Sequence, residues 1–173
     1  VRLYHDNVLA KQAGCGRTPW HFDDHHFPLD TNDVVTAWVP AQPIPLEMGP
    51  LSFAYPLDVH ELVNAVTFEK TGTGYDRGVS DVFSKNNVSV NETPFELGEV
   101  SFHHNLNFHT ASSNRTNRSR VALANTYYRD GARVVNAPTM VSGDWQKFMP
   151  NVKPGDVAAS PLNPICWPVK DKS

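Results

Sequence analysis

Cysteine is nearly missing from this chain: Cys15 and Cys166 are the only two in 173 residues. Two thiols build no disulfide framework, and nothing near them has the spacing of a zinc site. Cys15 lies between two glycines, with no neighbour in sequence to activate it as a nucleophile. Long apolar runs are missing as well, since no stretch approaches the ~20 residues of a membrane-spanning helix. Positive charge is not in excess: 15 Lys and Arg face 18 Asp and Glu, a net charge of -3. That is a poor footprint for nucleic acid or for an anionic membrane. There is no internal repeat and no low-complexity tract. With 40% apolar and 19% charged residues the chain is no disordered tail, and its length suits one domain, residues 1–173, with a core that needs no staples. A small-molecule substrate is the expected partner, and the sequence leaves the oligomeric state open. Val1 is followed by no secretory signal, so the four N-x-[ST] triplets starting at Asn87, Asn91, Asn114 and Asn117 read as coincidence. A reducing cytoplasm is the expected compartment.

What the chain has in quantity is proline, 14 residues, and histidine, eight. The prolines argue against long helices. Short segments rich in β-branched and aromatic residues read as strands over Val1–Lys11, Asp33–Val39, Leu51–Tyr55, Glu99–Phe108, Arg120–Tyr128 and Ala132–Asn136. Val59–Val66 is the best helical candidate, with apolar residues at Val59, Leu62, Val63 and Val66. Thr67–Asn91 is polar and rich in Gly and Asn, and reads as a long excursion from the core. The tail after Pro138 reads as a surface wrap. Many short strands at regular intervals imply an all-β sandwich or barrel.

The histidines cluster. His21-Phe22-Asp23-Asp24-His25-His26 holds five potential metal ligands. In a strand, residues two apart share a face, so His21 and Asp23 can point at one ion while Phe22 packs behind. By the same rule Asp24 faces away, and His25 and His26 read as solvated. A second histidine-bearing run, from Gly98 to His109, can supply a third ligand. Two imidazoles and one carboxylate bind Fe(II) and leave positions open for substrate and dioxygen; metal-bound water on the same set supports hydrolysis or isomerisation instead. In that run His103 shares strand parity with His109 and His104 does not. Arg120 opens the strand RVALANTYY above Ala122, Ala124 and Thr126. A cation over small side chains is a natural seat for a carboxylate, which Arg grips with two parallel hydrogen bonds.

The order LAK, WHFDDHHFPL, TAWVP, EMGPLSF, GEVSFHH, HTASSN and VALANTYY resembles the phytanoyl-CoA dioxygenase family, from about Leu3 to the ASPLNPICWP tail. The resemblance implies a double-stranded β-helix, a jelly-roll or cupin-like core with few short helices. It also implies an Fe(II)- and 2-oxoglutarate-dependent dioxygenase that hydroxylates an unactivated C–H, uses O2, and releases succinate and CO2. His21, Asp23 and His109 match the family's metal ligands. Arg120 matches the Arg that binds the far carboxylate of 2-oxoglutarate, and Asn114 matches the Asn of the same motif. Lys11 and Trp38 fall where related proteins line the co-substrate pocket. Phe22 and Ala111 depart from the residues usual at their positions. The family usually has a longer N-terminal region than this chain shows before Lys11, so residues before Val1 are expected to be missing or the member is compact. The excursion, with Gly72, Gly74 and Gly78, is expected to form a lid, with Tyr75, Arg77 and Phe83 as substrate contacts. Two rival readings stand beside the oxygenase: a cupin-like metalloenzyme that does not use 2-oxoglutarate, and a non-catalytic binding barrel.

Overall fold

The computed structural model describes residues 1–69, 73–136 and 143–168. Gly72 and Pro138 lie outside the described residues. Eight strands form two antiparallel sheets of four. One has the order β1-β8-β3-β6 and the other β2-β7-β4-β5. The strands are β1 (Arg2–Lys11), β2 (Thr18–His21), β3 (Val34–Pro40), β4 (Leu51–Tyr55), β5 (Ser89–Glu92), β6 (Ser101–His104), β7 (His109–Ala111) and β8 (Arg120–Tyr128). The fold is the expected jelly-roll. Along β8 burial alternates strictly, with Arg120, Ala122, Ala124, Thr126 and Tyr128 turned inward, as a two-residue period requires of a sheet with one face on the core. β8 pairs β1 on one side and β3 on the other, so that Arg120 lies opposite Lys11 and Ala124 opposite both Asn7 and Trp38.

Several expectations need correction. The run 99–108 is not one strand. β6 ends at His104, a turn at Asn105 and Leu106 follows, and β7 begins at His109 in the other sheet. The helix expected over Val59–Val66 covers only Val59–Leu62 (α1). The excursion is largely ordered: Gly74–Asn86 form a 13-residue helix (α2), and Ser89–Glu92 form β5, paired to β4. The helical stripe was present at Tyr75, Val79, Val82 and Phe83, spaced by four, three and one, but glycines and polar residues dilute it. Gly78 has a physical reason to be there, because a Cβ on it would sit 2.6 Å from Val66 Cγ1. Finally, Ala132–Asn136 form no strand, only isolated bridges from Arg133 to Val157 and from Val134 to Leu29.

Three apolar clusters fill the interior. Trp38, Ile44, Met48, Leu51 and Phe53 pack between the sheets. Tyr75 and Val79 of α2 pack with Ala54, Val59 and Phe108 outside the β2-β7-β4-β5 sheet. The tail is no mere surface wrap, because Trp145, Met149, Val152 and Ala158 form a core with Tyr4, Phe27 and Tyr128. Among the described residues no helix is long and apolar enough to cross a membrane.

Candidate metal centre and co-substrate pocket

β2 and β7 are too short to hold much by themselves, but their pairing sets His21 directly opposite His109. The two imidazole rings lie 4.2 Å apart. Each ring is locked by its own chain: His21 Nδ1 is 2.8 Å from the carbonyl oxygen of Pro19, and His109 Nδ1 is 2.8 Å from that of Asn107. Both rings therefore donate through Nδ1 and turn the Nε2 lone pair inward, the tautomer a metal needs.

Asp23 reaches the same point by a different route from the one its spacing implied. Its backbone has left the strand (φ -84, ψ -14) and leads into a 3-10 turn over Asp24–His26. Asn105 fixes that turn. Its carbonyl accepts the N–H groups of Asp23 and Asp24 at 2.8 and 3.2 Å, and its side-chain amide donates to Asp24 Oδ1 at 2.8 Å. Asp24 thus points away from the centre, as expected, but because it is tied to the turn. Asp23 Oδ1 lies 3.6 Å from His21 Nε2 and 3.9 Å from His109 Nε2. The three donor atoms all lie within 4.8 Å of one another.

The charge state of the trio asks for a cation. Burial, with His21 adding to it, pushes the His109 imidazole down to about 3, so the ring is neutral at pH 7. Burial would raise the Asp23 carboxyl, but contact with His103 and the nearby His109 and His21 outweigh it and hold the group well below the usual carboxylate range. An ionised carboxylate facing inward imidazole lone pairs is reconciled by a positive ion at their focus. The donor set of two nitrogens and one oxygen fits Fe(II).

A cavity of about 400 Å³ runs from this trio to Arg120 and Trp38. Arg120 is buried, and its Nη1 donates to the Gly49 carbonyl at 2.6 Å. Its guanidinium carbon sits 5.3 Å from the centre of the Trp38 ring. Arg120 Nε and Trp38 Nε1 are buried donors without a hydrogen-bond partner among the described residues. Both side chains line the cavity, and a buried guanidinium there suits a ligand carboxylate, which Arg can grip with two parallel hydrogen bonds.

Lys11 lies beside Arg120 but is not in the cavity wall. Its Nζ donates to the carbonyls of Ala111 and Ser112 at 3.1 and 2.7 Å. Burial first and Arg120 second push its ammonium down to about 8. Asn114 is fully buried and also stands outside the wall. Its amide donates to the carbonyls of Lys11, Gln12 and Arg118, and its oxygen accepts from Thr116. It ties the end of β1 to the approach to β8.

The three expected substrate contacts are elsewhere. Tyr75 is buried beneath α2 and donates its hydroxyl to the Trp20 carbonyl at 2.9 Å. Phe83 packs edge-on against Trp20, and Arg77 is exposed on α2. None of the three lines the cavity. Their apolar face is spent on the sheet exterior, so the expected lid role has no contact to support it. Three cavity residues carried no signal as substrate contacts in the sequence: His5, Phe27 and Phe148 come from three distant segments and meet at the end away from Arg120. Gly49 was likewise silent, though it adopts φ +74 and a Cβ there would collide with the Ser112 carbonyl.

The model of the family described as "Phytanoyl-CoA dioxygenase (PhyH)" matches residues 1–122, which include all three donors and Arg120. The chain belongs to the phytanoyl-CoA dioxygenase family. Members of this family are Fe(II)- and 2-oxoglutarate-dependent oxygenases. No curated protein matches the sequence. Among solved structures, the non-heme alpha ketoglutarate dependent carbocyclase SnoK from nogalamycin biosynthesis is similar at 25% identity and a TM-score of 0.71, over 94% of this chain and 61% of that one. The epimerase SnoN in complex with Fe3+, alpha ketoglutarate and nogalamycin RO is similar in fold at 22% identity and a TM-score of 0.68, over 94% of this chain and 64% of its own. The chain therefore spans a little over three fifths of the length of these structures.

Proposed function

We propose that this phytanoyl-CoA dioxygenase family member is an Fe(II)- and 2-oxoglutarate-dependent oxygenase that hydroxylates an unactivated C–H of a small organic or acyl substrate. The observation that carries this reading is one cavity with two fitted ends. The His21, Asp23 and His109 donors stand at one end, and the side chains of Arg120 and Trp38 line the other. When bound, iron and 2-oxoglutarate together supply the oxidising power to insert one atom of O2 into a C–H bond, with succinate and CO2 as co-products.

The chain's own residues do the rest. His21 and His109 would present Nε2 to the ion, and Asp23 would offset part of its charge. Arg120 and Trp38 take the far carboxylate of 2-oxoglutarate, with Ala124 leaving room for its carbon chain. Lys11 adds positive charge behind Arg120, and Asn114 keeps the two in place. An intact carboxylate at Asp23 occupies the position that a halide would need, which favours hydroxylation over chlorination. The Arg120–Trp38 pair favours this reading over a cupin-like enzyme that does not use 2-oxoglutarate, for which those donors have no ligand. SnoK is described as a carbocyclase and SnoN as an epimerase, so the fate of the oxidised substrate depends on the individual pocket.

A screen of small molecules with Fe(II), 2-oxoglutarate and O2 tests the proposal. The expected result is substrate-stimulated succinate release and a product heavier by one oxygen atom. A chlorinated product in chloride buffer, or a product formed without 2-oxoglutarate, defeats it. Stoichiometric iron with no succinate under any condition favours a binding barrel.

A further inference from the structure

His103 stands beside the metal centre. It lies on β6 opposite Thr36 of β3, in the sheet that faces β2 and β7. It is buried, 5% exposed, with its ring 5.3 Å from Phe53 and 5.0 Å from His109. Its Nε2 faces Asp23 Oδ2 at 3.8 Å, while Asp23 Oδ1 faces His21 Nε2 and His109 Nε2 at 3.6 and 3.9 Å. The carboxylate is thus divided, one oxygen toward the two ligand nitrogens and the other toward His103.

The three imidazoles are not chemically equivalent. His21 and His109 each give the Nδ1 proton to a backbone carbonyl and turn a lone pair inward. His103 Nδ1 is buried and makes no hydrogen bond among the described residues. A neutral imidazole has one N–H, and a buried N–H without an acceptor is costly. Nε2 is therefore the ring nitrogen whose N–H has an acceptor within reach, Oδ2. At 3.8 Å the contact is wider than a formed hydrogen bond, and a shift of under about 1 Å closes it.

We infer that His103 is a positioning residue for the metal ligand Asp23. It donates Nε2–H to Oδ2, so that Oδ1 alone is offered to the ion. A carboxylate free to swing would offer both oxygens and take a position needed by the co-substrate. His21 and His109 are held by backbone carbonyls, which no substitution removes. The support inferred for Asp23 comes from a side chain, and so can be tested directly by substitution.

The inference rests on the reading of His21, Asp23 and His109 as the ligands. Co(II) alone is the probe, titrated into the metal-free chain, so substrate and turnover do not enter. The amides of Gln and Asn differ in reach: His103→Gln places an N–H near the Nε2 position, and His103→Asn stops short of it. The expected result is that H103N weakens Co(II) by about 10–100-fold, the usual effect of losing an outer partner, while H103Q stays within a few-fold of the parent. Both should retain the parent far-UV spectrum. The Fe(II)–2-oxoglutarate charge-transfer band should fall in H103N and return in H103Q. In a D23A background, H103N should add no further loss. Equal Co(II) affinity in H103Q and H103N overturns the inference, as does a further loss in the D23A background, which would make His103 a ligand. H21A separates the two claims. If H21A binds Co(II) like the parent, the ligand assignment itself fails; if H21A loses Co(II) and H103N does not, the His103 inference alone fails.

Discussion

The two sheets of the jelly-roll hold their functional side chains by different means. In the sheet β1-β8-β3-β6, three strands run for ten, nine and seven residues, and the ladder fixes Arg120 against Lys11 and Trp38 beside Ala124. In the sheet β2-β7-β4-β5, no strand exceeds five residues. Its donors sit where strands end or the backbone leaves the extended form, and they depend on local bonds to Pro19, Asn107 and Asn105. A long ladder is a stiff place for an anchoring cation. A strand end lets side chains converge from different directions, which a metal requires and a flat strand face does not provide.

Removing a donor from the short-strand side should have the largest effect. His109→Ala is expected to abolish Fe(II) binding and the visible band formed anaerobically with 2-oxoglutarate. An unchanged band would take His109 out of the site and dissolve the contrast between the sheets. Removing the anchor from the long-strand side should leave the metal in place. Arg120→Ala is expected to weaken 2-oxoglutarate by tens-fold or more, since truncating one partner of a buried charged pair costs roughly 2–5 kcal/mol. Arg120→Lys keeps the charge but not the fork, and should recover only part of that loss. Calorimetric titration of 2-oxoglutarate into the metal-loaded variants reads both.

The smallest effect sharpens the electrostatic side of the comparison. Lys11 is held down to about 8 in the folded chain by burial and Arg120, against about 10.4 for a free lysine. Between these values the unfolded chain binds more protons than the folded one, so stability should rise with pH. From pH 8 to 9.5 the slope from this one group cannot exceed about 1.4 kcal/mol per pH unit. Lys11→Met should flatten that rise in denaturant titrations, and identical slopes in the two proteins would mean that Lys11 is not desolvated.

How far the sequence can be read follows the same physical division. β3, β4 and β8 were legible almost to the residue, because short runs rich in β-branched and aromatic residues are written in the chain. The 99–108 run was not, because the break at Asn105 and Leu106 is a change of sheet and both halves have strand-like composition. α2 was hidden because Gly74, Gly78 and its many polar residues suppress a helical pattern that only Tyr75, Val79, Val82 and Phe83 carry. Tyr75 and Phe83 then looked free to touch substrate, when their face was needed to cover the sheet exterior.

By itself the sequence determined the residue types and their order: the His21–Asp23 pair, the distal His109, and Arg120 over Ala122 and Ala124. Those are local facts, set by spacing along one strand or by motifs whose order identifies the family. Tertiary structure decided which atom of each group faces which. It brought His103 to the second oxygen of Asp23 from the opposite sheet, gave Arg120 its partner at Gly49, and joined His5, Phe27 and Phe148 in one wall. None of these contacts has a spacing rule, because each joins segments whose distance apart is fixed only when two sheets close on each other. The setting of His103 is the clearest case: it follows from what lies around both ring nitrogens, and a linear chain specifies neither.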